Sequence, residues 1–300
     1  MLIAVPMAMM ATANHSAASA FQEKSAELWL GGDVNLGDGG REQLQGISGI
    51  VQGATGVVNL EGPVAQRSQL LTHKFRLWNS PNALGELLAL HVQVTGIANN
   101  HSGDAGKNGQ QKSAVRLKQR NILPAGGPAR AALLHLNGLV IAVTAHDLAH
   151  GVPPRLAADL SAARRRADIL IATFHVTGPA SYLPRPELRR AVEIAYRVGA
   201  SVIAAHGTHA LGPVERREHA VIAWGLGNLA FACDCTQEKD AIILRVHVAP
   251  GWTIKADVIP IQAGLNQRPA LPAQDAKGIF DLLEAIGSSK LQRQGNVASF

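Results

Sequence analysis

Aromatic side chains are scarce: Phe, Trp and Tyr make up 4% of the 300 residues, so a core here must rest on Leu, Ile, Val and Ala. The basic clusters Arg164-Arg165-Arg166, Arg189-Arg190 and Arg216-Arg217 carry no interleaved aromatics. They read as solvated helix or turn faces, and nucleic acid is not an expected partner. Cysteine is nearly absent. Two thiols, Cys233 and Cys235, cannot build a disulfide framework or a four-cysteine zinc site. A bridge across the one residue between them is expected to be strained, so neither is given a role. Charged residues are held to 17% against 47% hydrophobic, which excludes the disordered regime. Acidic groups number 22 against 28 basic, and the net charge of +6 favours an anionic substrate or surface.

Runs long enough to span a membrane are missing as well. Residues 2–13 are apolar and small, and Ala18-Ser19-Ala20 has the small-x-small pattern of a cleavage site, although no Lys or Arg precedes the apolar stretch. Residues 1–26 therefore read as an export leader, with a disordered tail or a misassigned start as the alternatives. A leader implies the periplasm or cell envelope; without one the cytoplasm is expected.

What is present is an alternation of short apolar runs with longer amphipathic segments. Strands are expected over residues 27–31, 56–60, 92–98, 131–136, 139–144, 168–174, 201–205, 219–224 and 241–248. Residues 252–262 are expected to pair with the last of these as a hairpin. Helices are expected over 41–52, 81–90, 107–120, 154–166 and 186–198, with a final one near 275–286 and a polar, mobile tail beyond it. Pro186 suits the first turn of its helix, and Gly199 suits the C-terminal cap. Neither an internal repeat nor a long linker is visible, so one mixed α/β domain is the simplest organisation.

Ligand-capable side chains recur directly after the apolar runs. Asp33 follows the first, Glu61 the second, Asn100 and His101 the third, His175 the 168–174 run, and His206 and His209 the next. Open α/β sheets bind ligands at such strand ends. Carboxylate, amide oxygen and neutral imidazole form a mixed oxygen and nitrogen set that suits a divalent cation. A cation of this kind lowers the pKa of a bound water or polarises a substrate oxygen. His146 and Asp147 follow the 139–144 run and could move protons on the same face, the alternative being a polar loop that includes His150. His73, His91, His135, His219 and His247 show no ligand spacing and read as structural.

The segments Gly32-Asp33-Val34-Asn35-Leu36-Gly37, Asn59-Leu60-Glu61, Ala98-Asn99-Asn100-His101 with Asp104, Gly106 and Gly109, His206-Gly207-Thr208-His209 and Leu226-Gly227-Asn228 occur in this order. Together they resemble the CapA family, named for poly-γ-glutamate capsule synthesis and related to the calcineurin-like metallophosphoesterases. The resemblance runs from about Leu28 to Phe231. It implies a calcineurin-like four-layer α/β sandwich, two mostly β sheets flanked by helices, over residues 27–265, with 266–300 as a C-terminal helix and tail. It further implies one or two divalent metal ions, with Mn, Zn, Fe and Ca not distinguished. The implied ligands are Asp33, Glu61, Asn100, His175, His206 and His209. His101 would be the general acid or base, with Asp104 orienting its ring. Asn35, Lys74, Arg76 and Asn228 are the candidates for holding substrate.

Three departures bear on this. Asn35 stands where metallophosphoesterases usually carry His, Val176-Thr177 where the family shows Trp-Gly, and Ala205 where Gly precedes the histidine. They keep a single-metal site open and point to an altered pocket. The expected activity is that of a metal-dependent hydrolase or transferase acting on a phosphoester or a γ-glutamyl polymer. A first alternative is a metal-dependent peptide epimerase that exchanges a Cα proton through the pairs His101–Asp104 and His146–Asp147. A second is a non-catalytic envelope factor in polymer assembly.

Overall fold

Strands buried on both faces read as unbroken apolar runs, and such runs dominate this chain. In the computed structural model, which describes residues 24–40, 42–72, 75–249, 251 and 253–300, they assemble into two sheets. Most of the expected leader, residues 1–23, lies outside the described residues, as does Lys74. Among the described residues no helix is long and apolar enough to cross a membrane.

The first sheet begins with β1 (Ala26–Asn35), β2 (Thr55–Leu60), β3 (Val92–Gly96) and β4 (Leu123–Ala125), all parallel. The chain then builds the second sheet from β5 (Ala132–Leu136), β6 (Leu139–Asp147), β7 (Ile169–His175), β8 (Val202–His206), β9 (Val214–Arg217) and β10 (Ala220–Ala223). Its order is β5-β6-β7-β8-β10-β9, with β6, β7, β8 and β10 parallel. Finally β11 (Asn228–Phe231), β12 (Asp240–Val248) and β13 (Ile254–Gln262) return to the first sheet. There β11 lies parallel to the end of β1, and β12 and β13 form the antiparallel hairpin expected from the sequence. Short strands β14 (Gly264–Leu265), β15 (Leu271–Pro272), β16 (Gln292–Gln294) and β17 (Val297–Ser299) extend it.

Helices α1 (Ser48–Val51), α2 (Leu84–Ala89), α3 (Gly109–Gln119), α4 (Leu156–Arg164), α5 (Pro186–Val198) and α6 (Ala276–Ala285) complete the chain. Side-chain alternation sorts the core into three interlayer clusters. Leu28 and Leu30 of β1 meet Ile169 and Ile171 of β7 between the sheets. Trp29, on the opposite face of β1, packs with Leu84, Leu87 and Leu117 of α2 and α3. Leu170, Ala172 and Phe174 pack against Leu160, Leu188 and Val192 of α4 and α5. Helices, sheet, sheet, helices: this is the four-layer calcineurin-like sandwich that the resemblance implied.

Three expectations need correction. The helix expected over 41–52 is reduced to a 3₁₀ turn at Gln45–Ile47 and the single turn of α1. A Cβ on Gly46 would sit 2.4 Å from the Ala270 carbonyl oxygen, so the packing of the 270 segment, not helix propensity, decides the path. The tail is a hairpin, β16 with β17, and β17 pairs with the edge of β13. Its buried Leu291 and Ala298 join Phe280 and Leu283 of α6 in the core between the sheets. Cys233 and Cys235, given no role from sequence, are joined as a disulfide just after β11, and no free cysteine is left among the described residues.

On the strand row β1-β12-β13, His247 lies between two carboxylates, with Nδ1 2.7 Å from Glu27 and Nε2 2.8 Å from Asp257. Partial burial works to lower its pKa, but the two acids outweigh it and raise the ring above its ordinary value. A group with a raised folded pKa contributes stability in full below the unfolded value of about 6.5, and loses it as pH climbs through the folded value. Denaturant midpoints of the wild type are therefore expected to decline above pH 6.5 more steeply than those of His247→Gln. Parallel pH profiles for the two proteins would disprove this.

Candidate metal centre

The parallel strands of the two sheets deliver their carboxyl ends to one edge of the sandwich. β1 supplies Asp33, the residue after β2 is Glu61, β7 ends on His175 and β8 ends on His206. Register keeps neighbours level: Asp33 lies beside Asn59 and Asn228, and His175 beside His206. The pairing of β1 shifts between Leu30 and Asp33, at Gly31-Gly32. A Cβ on Gly32 would lie 2.0 Å from the Gly227 carbonyl oxygen, so glycine is what lets the turn before β11 approach.

Asp33 is wholly buried and anchored at both oxygens. Oδ1 accepts from Asn59 Nδ2 at 2.8 Å, and Oδ2 accepts from the Gly207 backbone N–H at 2.7 Å. Gly207 has φ +74°, and a Cβ there would lie 2.0 Å from the Val176 carbonyl oxygen and 2.7 Å from the His175 ring. Around Asp33 stand two imidazoles, His206 Nδ1 at 3.6 Å and His209 Nδ1 at 3.9 Å. Glu61 Oε1 lies 3.7 Å from His175 Nε2. The separations of Asp33 from His206 and of Glu61 from His175 exceed a hydrogen bond, yet they match the span of two ligands each roughly 2.0–2.2 Å from a shared ion. Ligand atoms of Asp33, Glu61 and His175 all fall within 4.8 Å of one another.

The unpaired atoms make the same case. Glu61 Oε2, both ring nitrogens of His175 and His206 Nδ1 are buried and lack a hydrogen-bond partner. Leaving such groups unsatisfied is costly, and a cation would satisfy the Glu61 oxygen, one nitrogen of His175 and His206 Nδ1 together. Burial pushes the His206 pKa down to about 4, so its ring is neutral and has a lone pair to give. Burial works to raise Glu61, but the neighbouring His175, His209 and His101 outweigh it and keep the carboxyl ionised. In return the Glu61, Asp33 and Asp147 carboxylates overcome the burial of His175 and hold that ring above its ordinary value.

His209 adopts φ +51°, rare for a residue with a side chain. Its Nδ1 lies 2.9 Å from Asn228 Oδ1. The Asn228 amide nitrogen faces the carbonyl oxygens of His209 and Glu238, which fixes the flip of the amide and aims its oxygen at the ring. Nδ1 must then carry the proton, leaving Nε2 as the free lone pair. Asn228 is itself fully buried, so it orients His209 where the sequence suggested contact with substrate. Replacing it with Ala is expected to weaken cation affinity by about 10–100-fold, read by competition with a chelator. An unchanged affinity would mean that His209 does not ligate.

His101 stands beside this group, partly exposed. Its Nδ1 is 2.9 Å from Asp104 Oδ2, which also accepts from the Leu77 backbone N–H at 2.7 Å. Partial burial works to lower the ring, but Asp104 and Glu61 outweigh it and raise its pKa. Asn100 is exposed in the turn beyond β3. Asn99 is the buried amide there, donating to Asn59 Oδ1 at 3.3 Å and to the Leu60 carbonyl at 2.9 Å. Asn99 and Asn59 thus tie the end of β3 to Asp33. Asn35 is buried too, donating to the Glu61 and Trp78 carbonyls, while Asn79 donates to Glu61 as well. Sequence reasoning overlooked the work of Asn59, Asn79 and Asn99; Asn59 and Asn99 lie inside the quoted motifs, whereas Asn79 lies outside all of them and carried no signal.

The structure does not gather every candidate. Arg76 donates to the Leu71 carbonyl at 3.0 Å. His146 and Asp147, proposed as a pair, are consecutive in β6 and so point to opposite faces. Asp147 lies on the side of His175, whereas His146 meets the ring of Phe174 in the helix-facing layer. The acid–base pair on one face is thereby corrected.

Comparison with known proteins fits this geometry. The crystal structure of a hypothetical protein from Thermus thermophilus superimposes with a TM-score of 0.51 at 12% identity, covering 79% of this chain and 99% of that one; it bears on the fold alone. The PGA biosynthesis protein CapA of Bacillus subtilis (strain 168) is 25% identical over 227 residues, covering 68% of this chain and 60% of that protein. The chain therefore spans less than two thirds of that relative's length. Residues 27–233, which hold every side chain of the cluster, match the family model described as bacterial capsule synthesis protein PGA_cap, and the chain belongs to that family.

Proposed function

We propose that the chain is a metal-dependent hydrolase or transferase that acts on an anionic substrate of the capsule type, a γ-linked glutamyl polymer or a phosphoester, in association with the cell envelope. The observation that carries this reading is the buried carboxylate–imidazole group with orphaned ligand atoms, flanked by a partly exposed histidine. A divalent cation bound there supplies Lewis acidity. Asp33 and Glu61 hold the negative charge that binds such an ion, and His175, His206 and His209 offer nitrogen lone pairs. His101, kept above its ordinary pKa by Asp104 and Glu61, holds a proton on a ring that can reach solvent, where a leaving oxygen or nitrogen would collect it. The net charge of +6 draws a polyanion toward the protein.

The test is to incubate purified protein, with and without added Mn, Zn, Fe or Ca, with oligo-γ-glutamate and with an aryl phosphate. Cation-dependent cleavage, transfer or phosphate release is expected. If neither substrate is altered under any of the four ions, the proposal fails.

A further inference from the structure

On the opposite face of the second sheet from the metal cluster, α4 and the end of β6 leave a cavity of about 430 Å³. Arg155, Asp159, Ala162 and Arg166 line it at helical spacing, so one stripe of α4 and its flanks forms the long wall. The alanine in the middle of that stripe provides the room, and the arginines stand at its two ends. Arg130, in the segment that carries the chain from the first sheet to the second, lines the cavity as well. His146 lines it at the carboxyl end of β6, with Nε2 buried and without a hydrogen-bond partner.

The charges here are unspent. None of the exposed Arg130, Arg155 and Arg166 guanidinium groups forms an ion pair or side-chain hydrogen bond among the described residues. Arg217, Arg245 and Arg293 elsewhere are all paired with acids. Asp159 is the one acid lining the cavity. Three unpaired cations against one anion around a concave wall concentrate positive potential. Guanidinium forks match carboxylate and phosphate oxygens two at a time. The volume lies in the range of small-molecule pockets, with room for more than a lone inorganic ion. Arg130 moreover adopts φ 56°, ψ −124°, a conformation strained for any residue but glycine and of the kind kept at binding sites.

We propose that this cavity is a second binding site, separate from the metal cluster, for a small organic anion bearing two or more carboxylate or phosphate groups. Titration calorimetry of the purified full chain at low ionic strength tests it, with glutarate and pyrophosphate as the probes. At least one probe is expected to bind, and the stronger of the two identifies the oxyanion as carboxylate or phosphate. Affinity should fall about tenfold or more in an Arg155→Gln/Arg166→Gln variant. A comparable fall is expected in Ala162→Trp, which fills the cavity from an exposed position without changing charge. Binding should persist in Glu61→Gln, which is altered only at the metal cluster. Absence of binding to both probes, affinity unchanged in both cavity variants, or binding lost only in Glu61→Gln would each overturn the proposal.

Discussion

Glu61→Gln is expected to lower cation affinity at least roughly 100-fold, about 2.8 kcal/mol, while leaving the cation-free protein as stable as wild type to within about 1 kcal/mol. The two effects separate because of how Glu61 is held. Its backbone is fixed by Val34, Asn35 and Asn79, so the side chain is placed whatever its charge. Its carboxylate makes no short hydrogen bond: Oε2 has no partner, Oε1 is 3.7 Å from His175, and what the variant gives up is the charge attraction of the surrounding histidines. Neutralising it removes a desolvated charge, and His175 can shed its proton in response instead of remaining a lone buried cation. The wild type should gain melting temperature when the ion is added, and the variant should not. Metal content measured on both purified proteins, with thermal unfolding with and without the ion, decides the matter. A variant that binds the ion like wild type would remove Glu61 from the ligand set.

His101→Ala is expected to reduce turnover by about 10²–10⁴ with metal content unchanged. The ring is on the exposed side of the cluster, and its structural tie is to Asp104, which keeps the Leu77 N–H as a partner when the imidazole is gone. Because Asp104 and Glu61 raise the His101 pKa, the acid form persists above the ordinary value of about 6.5. The alkaline limb of the wild-type rate profile should accordingly lie above that pH, and Asp104→Asn should shift it downward. Full function of the His101→Ala protein in cells would instead favour a passive role in polymer assembly.

The four layers were legible because the central strands are buried on both sides. β8 appears in the sequence as uninterrupted Val, Ile and Ala, and β7 as Ile, Leu and Ala followed by Thr173 and Phe174; the histidine that ends each strand, His175 and His206, is the one that meets the cluster. α5 was bracketed from its own terminal signals, Pro186 and Gly199. Edge strands were harder to see. β9 reads Val-Glu-Arg-Arg and β16 reads Gln-Arg-Gln, so neither carries an apolar run, and their place comes from backbone pairing with the strand that follows each, β10 and β17. In the site, charged and imidazole residues announced themselves, whereas the buried amides that hold them did not. His146 and Asp147 are neighbours in sequence, which suggests a pair. In a strand they face apart, and the consequence is a histidine that belongs to the helix-side cavity.

The oxygen donors and the nitrogen donors come from different leaves of the sandwich: Asp33 and Glu61 from the first sheet, His175, His206 and His209 from the second. An ion seated among them is a rivet through two plates that otherwise adhere by greasy contact and by a few hydrogen bonds at the rim, such as Gly207 to Asp33 and His209 to Asn228. Loading it should stiffen the seam between the leaves at that rim, and a strain that slides one leaf along the other would be felt by the ion before any single strand gave way.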